Sequence, residues 1–284
     1  MTIIQSFLLI SLLLSFVLTA YPVVILHGIG DSCNGGYMRY FPQKLNQTLG
    51  VYGECIESGG GVEDFSTPII EQSKKACEAI KANPNFQGNF SIVALSQGGL
   101  IARYIIEECE MKGTVKRLVT IGTPHMGVSK IPNCMSGVVC YLLKKMVSMI
   151  IYTSAVQNHI GPAGYFVDNL HFDTYKKYSN FLPELNNENK IDEKYIQKFT
   201  QLEKVLLMKF TKDTMIYPKE SAWFEFVDEK DIVVLLKNST FYNKDQIGLK
   251  KLMEEGKVQF VEVDGNHLQF SDDDEDNYII PTLA

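Results

Sequence analysis

The ten residues Phe90–Gly99, FSIVALSQGG, constrain the fold of this chain more than any other stretch. Phe90, Ile92, Val93, Ala94 and Leu95 form a β-prone apolar run with Ser91 inside it, and the run stops at Ser96. Gln97, Gly98 and Gly99 follow, and a helical pattern then begins. A short apolar run of this kind reads as a strand buried on both faces. Where such a strand turns sharply into a helix, the turn lifts a serine Oγ clear of the sheet edge. The helix N-terminus behind it offers unpaired N–H groups and the positive end of the helix dipole. The two glycines let a neighbouring strand crowd the turn without a Cβ in the way. Ser96 is therefore a candidate nucleophile. The first small residue of the G-x-S-x-G elbow is Ala94 rather than glycine, and S-x-G alone is also the pattern of an ordinary strand–helix turn.

The flanking chain alternates in the same way. Residues 21–27 read as an apolar strand ending in His27-Gly28-Ile29-Gly30-Asp31-Ser32. Glycines at that exit would let the Ile29 backbone N–H face a developing negative oxygen; the bland reading is a tight strand exit. A dinucleotide loop is not supported, because the third glycine and a following helix pattern are missing. Residues 37–49 are predicted helical and Tyr52–Glu57 a strand. A helix over Thr67–Ala82 presents Ile70, Ser73, Ala76, Cys77 and Ile80 on one face, with Pro68 in its first turn. Val115–Gly122 is the next buried strand and leads to His125, which reads as a loop histidine near the site. From about 128 to 200 no strand alternation occurs. This segment is expected to supply extra core helices or a helical cap lining a groove, with Met146 and Met149 suited to either. Val205–Phe210 and Val258–Val263 are the last strands. Ser271 caps a short helix whose first turn is acidic, and Pro281 is expected to end it.

Three weak signals gain force together. Ser96, Asp213 and His267 follow predicted strands in the order Ser…Asp…His within an α/β alternation, as in a strand-borne catalytic triad. Asp213 would accept from the His267 Nδ1–H, and His267 would take the Ser96 proton. The backbone N–H groups of Ile29 and Gln97 are the candidate oxyanion donors.

Composition narrows the setting. A net charge of −6 with no basic run gives no reason to expect a nucleic-acid partner. Residues 1–20 carry no charge and read as a signal peptide, leaving 21–284 as one domain without stable membrane insertion. An uncleaved anchor is the alternative. Six cysteines (33, 55, 77, 109, 134 and 140) and sequons at Asn46, Asn89 and Asn238 suit a secretory route. Cys134 and Cys140 are close enough in sequence for a small loop disulfide, but spacing does not choose among the possible pairings. No C-x-x-C pair occurs, and nothing calls for a metal or cofactor.

Several stretches carry a more specific likeness: His27-Gly-Ile-Gly-Asp-Ser-Cys33, Leu95-Ser-Gln-Gly-Gly99, Ser221-Ala-Trp-Phe224, Leu249-Lys250, Gly265-Asn-His-Leu-Gln269 and Ile279-Ile-Pro281. From about Pro22 to its end, the chain resembles the palmitoyl-protein thioesterase family of the α/β-hydrolase superfamily. The resemblance implies an α/β-hydrolase fold: a mostly parallel sheet, helices on both faces, and a helical cap at about 128–200 roofing a fatty-acyl groove. It implies Ser96, Asp213 and His267 as the triad and Ile29 with Gln97 as oxyanion donors. It further implies disulfides Cys77–Cys109 and Cys134–Cys140. Cys33 departs from the pattern, since Asn34 stands where the family has a second cysteine. Cys33 is left to pair with Cys55 or to stay free. Other departures are Ala94 and Ile29, where the family has methionine. The expected activity is removal of long-chain acyl groups, palmitate above all, from cysteines of S-acylated proteins or peptides in the lysosome or outside the cell. Hydrolysis of oxygen esters, as by a lipase or carboxylesterase, is the close alternative, and an inactive lipid-binding protein of the same fold is the second.

Overall fold

The computed structural model describes residues 20–131 and 146–284. Its centre is a six-stranded parallel sheet in the order β2-β1-β3-β4-β5-β8. The strands are β1 (Val23–Leu26), β2 (Gly53–Cys55), β3 (Asn89–Leu95), β4 (Thr114–Ile121), β5 (Lys204–Phe210) and β8 (Val258–Val263). A separate antiparallel pair, β6 (Phe226–Val227) and β7 (Val233–Val234), had no clear sequence signal. Two-residue strands are too short to show an alternation.

Side chains of a strand alternate between faces, and the core divides accordingly. Val24, Leu26, Ile92, Ala94, Leu118 and Leu207 pack with α2 (Ile69–Ala82) and α3 (Gly98–Glu107). Val23, Ile25, Val93, Leu95, Val119 and Met208 pack on the other side with α1 (Gly36–Leu49) and the C-terminal Ile279, Ile280 and Leu283. Helices therefore cover both faces, which is why the strands read as near-continuous apolar runs. The chain leaves β1 for β2 on one side and returns to β3 on the other. A crevice opens at the carboxyl ends of strands where the winding reverses in this way, and the turns after β1 and β3 meet there.

Several local expectations need correction. Pro68 is the N-cap of α2 rather than part of its first turn, and the buried face is Ile69, Gln72, Ser73, Ala76, Cys77 and Ile80, with Ile70 only partly covered. Pro281 does not end the C-terminal helix. A π-helical segment, Glu275–Ile279, precedes it and loosens the hydrogen-bond ladder where the proline ring would otherwise clash, so the chain stays helical over Ile280–Leu283. Met146 and Met149 are exposed, so neither is a core residue.

Between β4 and β5 the described chain forms short helices, Ser154–Gln157, Phe172–Tyr178, Leu182–Leu185 and Glu193–Phe199, with one isolated bridge from Val128 to Phe166. Two disulfides are present, Cys33–Cys55 and Cys77–Cys109. The first ties the loop after β1 to β2, and the second ties α2 to the chain just beyond α3. Cys134, Cys140 and residues 1–19 lie outside the described residues. Asn46, Asn89 and Asn238 are all exposed. Among the described residues no helix is long and apolar enough to cross a membrane.

Candidate active site

Ser96 leaves β3 with φ +51°, a left-handed conformation that a residue with a Cβ adopts only when its surroundings impose it. The sheet supplies that constraint, since the Ser96 N–H donates to Ile121 O of β4 at 2.8 Å. The glycines behind it are required by contact. A Cβ on Gly98 would lie 2.6 Å from His27 O, and one on Gly99 would lie 2.0 Å from Thr123 Oγ1. Ala94 is fully buried between its register partners Leu26 and Thr120, so the sheet accepts the methyl that replaces the usual glycine hydrogen.

The structure brings Ser96, His267 and Asp213 together. Asp213 follows β5 and His267 follows β8, so three strand ends converge. Ser96 Oγ is 2.9 Å from His267 Nε2, and His267 Nδ1 is 2.7 Å from Asp213 Oδ2. A carboxylate only accepts, so Nδ1 carries the hydrogen and Nε2 is left to accept from the serine hydroxyl. Asp213 Oδ1 receives the N–H groups of Met215 and Ile216 at 2.8 and 2.9 Å, which fixes the carboxylate plane. Asn266 Oδ1 collects the N–H groups of His267 and Thr214 at 2.7 and 2.9 Å and joins the two loops. In the sequence Asn266 stands out only as part of the stretch Gly265–Gln269, and no local pattern signals its holding role. The imidazole also needs room at Gly122, where a Cβ would lie 3.1 Å from its Cε1.

The Gln97 N–H sits at the start of α3, and the Ile29 N–H lies in the loop after β1. Among the described residues neither donates to another group. The Ile29 loop is held from below. His27 is buried, its Nδ1–H donates to Gly28 O at 2.9 Å, and its Nε2 lies 2.7 Å from Glu57 Oε1. Glu57 Oε2 in turn accepts from the Cys33 N–H at 3.0 Å.

His125 is not part of this arrangement. It is fully buried, stacked on Phe224 at 4.1 Å, with Nε2 3.0 Å from Thr120 Oγ1. Burial, then the charge of Arg103, holds its ring well below the usual imidazole range. Arg103 anchors a second polar group. It pairs with Glu107 at 2.9 Å and donates to Asn186 Oδ1 at 2.7 Å and Leu185 O at 2.7 Å. Asn186 Nδ2 and the Tyr175 hydroxyl both donate to Glu188 Oε1 at 3.1 Å. Burial pushes Glu107 and Glu188 each up to about 7.

A cavity of about 420 Å³ is walled by Met126, Val167, Phe172, Tyr175, Phe226 and Phe241, with Lys176, Glu188 and Lys244 among its polar groups. Among the described residues there is no group of three or more His, Cys, Asp or Glu side chains placed to hold a metal ion.

Comparison with known proteins agrees with this architecture. The family model described as palmitoyl protein thioesterase matches residues 22–267. Palmitoyl-protein thioesterase 1 of Caenorhabditis elegans is 34% identical over 258 residues, 87% of this chain and 86% of that protein. A lysosomal thioesterase of Xenopus laevis is 28% identical over 86% of this chain and 85% of its own length. A solved structure of a candidate hydrolase from Agrobacterium vitis S4 superposes with a TM-score of 0.50 at 18% identity, covering 93% of this chain and 88% of the other, and shares the fold. The chain belongs to the palmitoyl-protein thioesterase family of α/β-hydrolases.

Proposed function

We propose that the protein hydrolyses thioesters joining long-chain fatty acids, palmitate above all, to cysteines of S-acylated proteins or peptides, with Ser96, His267 and Asp213 as its catalytic triad. The observation that carries the reading is the hydrogen-bonded run from Ser96 Oγ through His267 to Asp213, in a chain of this family. His267 Nε2 takes the hydroxyl proton as Ser96 Oγ attacks the thioester carbonyl. The Ile29 and Gln97 N–H groups receive the carbonyl oxygen as it becomes negative, each worth on the order of 10²–10³ in rate. The C–S bond breaks and His267 hands its proton to the departing cysteine sulfur, a good leaving group because a thiol pKa is about 8.5, which leaves the imidazole neutral again. A water molecule then gives a proton to His267 and attacks the acyl-enzyme, releasing the fatty acid and restoring Ser96.

The segment 128–200 is the proposed cap. Its Val167, Phe172 and Tyr175 wall the 420 Å³ cavity, which offers apolar surface to an acyl chain. Each methylene buried there would contribute about 0.8 kcal/mol. A lysosomal or extracellular destination is proposed from the two disulfides, the exposed sequons and the likeness to a lysosomal thioesterase. Residues 1–20 would be the cleaved signal. The test of mechanism is to mix enzyme with a palmitoyl thioester, quench in acid and map the adduct by mass spectrometry. Palmitate on Ser96 is expected; an adduct elsewhere, or none during turnover, would overturn the triad.

A further inference from the structure

A buried hydrogen-bonded chain links the two proposed oxyanion donors to each other and to the segment between β4 and β5. It begins at Asp64, which is fully buried in the short helical turn Glu63–Ser66. Asp64 Oδ2 accepts from the Gly30 N–H at 2.9 Å and Oδ1 from the Gly60 N–H at 2.8 Å. Gly30 has φ +80°, as in the second central residue of a type II turn, and Asp31 N–H donates back to Gly28 O at 3.2 Å. Ile29 and Gly30 are thus the central pair of a turn whose middle peptide is pinned by Asp64.

The backbone oxygen of Asp64 carries the chain onward. Gln72 Nε2 donates to Asp64 O at 3.0 Å and to Thr67 O at 2.7 Å. Both partners are carbonyls, so the amide end of Gln72 is fixed as donor and its Oε1 must accept. Gln97 Nε2 donates to that Oε1 at 2.8 Å, and Gln97 Oε1 accepts from the Tyr165 hydroxyl at 2.9 Å. Gln72 is fully buried, and Gln97 and Tyr165 nearly so. Neither amide can flip without setting two buried donors or two buried acceptors face to face. The segment bearing Tyr165 also closes on the Asp64 turn, since a Cβ on Gly161 would lie 2.1 Å from Asp64 O.

We propose that Asp64, Gln72 and Tyr165 are positioning residues that set the oxyanion hole, with Asp64 fixing the Ile29 turn and Tyr165, through Gln97, fixing the turn after the nucleophile. The proposal rests on the reading of the Ile29 and Gln97 N–H groups as oxyanion donors. It follows that the segment over the site helps to align the hole as well as to contact an acyl chain. Groups that act only on transition-state geometry change kcat and leave ground-state binding alone.

The test uses Asp64→Asn, Gln72→Glu and Tyr165→Phe with a palmitoyl thioester. Palmityl trifluoromethyl ketone, whose serine adduct carries an oxyanion, and palmitate, a product without one, serve as inhibitors. Asp64→Asn loses one of its two acceptors, and about a 10- to 100-fold fall in kcat is expected with KM within about twofold. The ketone Ki should rise by the same factor while the palmitate Ki stays unchanged. Tyr165→Phe should shift kcat and ketone Ki in the same direction by about 3- to 10-fold. Combined with Asp64→Asn it should fall short of the product of the two effects, because both act on one hole. If Asp64→Asn does not fold, Tyr165→Phe and Gln72→Glu decide the matter by the same ratio. Folded variants that keep kcat and ketone Ki within twofold, or that weaken ketone and palmitate equally, overturn the proposal and leave the triad reading standing. Turnover that survives Ser96→Ala overturns the triad reading itself.

Discussion

The catalytic run and the cluster around Arg103 are both buried polar chains, and they differ in where they end. The run Asp213–His267–Ser96 ends in a hydroxyl at the crevice over the strand ends, and its last link is the serine proton itself. The cluster around Arg103 holds no nucleophile: guanidinium to Glu107, Asn186 and Leu185 O, and Asn186 on to Glu188 at the cavity wall, joining α3 to the segment between β4 and β5. Both contain carboxylates with good hydrogen-bond geometry. A chain that ends at a hydroxyl paired with a base can do chemistry, whereas one without a nucleophile holds two elements together and carries a cost when a member is lost.

Substitutions in the two chains should therefore fail in different assays. Ser96→Ala should lower kcat for a palmitoyl thioester by about 10⁴–10⁶ with the melting temperature nearly unchanged. Asp213→Asn should cost about 10⁴, because the amide presents a donor to Nδ1 and disfavours the tautomer that leaves Nε2 free to accept. Arg103→Leu should do the opposite, destabilising the fold by about 3–5 kcal/mol in urea titrations while the folded fraction keeps its kcat. A large loss of kcat in folded Arg103→Leu protein would break the comparison.

A pH effect sharpens it further. Glu107 and Glu188 sit at about 7 in the folded protein, above the value of about 4.3 for a free glutamate. The folded state binds their protons more tightly, so their contribution is fully present below about pH 4 and is lost as pH rises toward 7. Melting should therefore occur at a higher temperature at pH 5 than at pH 7.5. Glu107→Gln should flatten that slope, and an unchanged slope in this variant would contradict the assignment. The smallest expected effect is at the cavity wall. Phe172, partly exposed there, should on change to Ala lower kcat/KM for a C16 thioester about two- to tenfold and spare a C4 thioester.

How much of this was legible follows from how each part is encoded. The strands ending at Leu95, Ile121 and Phe210 are buried on both faces over most of their length, and the edge strand ending at Val263 keeps Val261 and Val263 buried beside exposed Gln259 and Glu262, so the residues just beyond each strand can be read directly. Ser96, Asp213 and His267 stand at such ends, and their order along the chain gave the constellation. Asp64, Gln72 and Tyr165 gave little warning. Asp64 looks like one more acid in a glycine-rich loop, and Gln72 stands four residues before Ala76 on a face whose buried members include a polar side chain. Their partners are 34, 25 and 68 residues away in sequence, a separation that periodicity does not register. Cys33 shows the same limit: its partner Cys55 could be offered but not chosen until both strand exits were in place. Pro281 misled because a π turn upstream absorbs the break that its ring would cause.

The most direct test of the central claim is hydrolysis of matched C16 thioester and C16 oxygen-ester substrates by wild type and Ser96→Ala in parallel. Strong preference for the thioester in wild type, with both activities lost in Ser96→Ala, is the predicted result. Preference for the oxygen ester would make the protein a lipase-like esterase, and turnover that does not depend on Ser96 would contradict the account at its root.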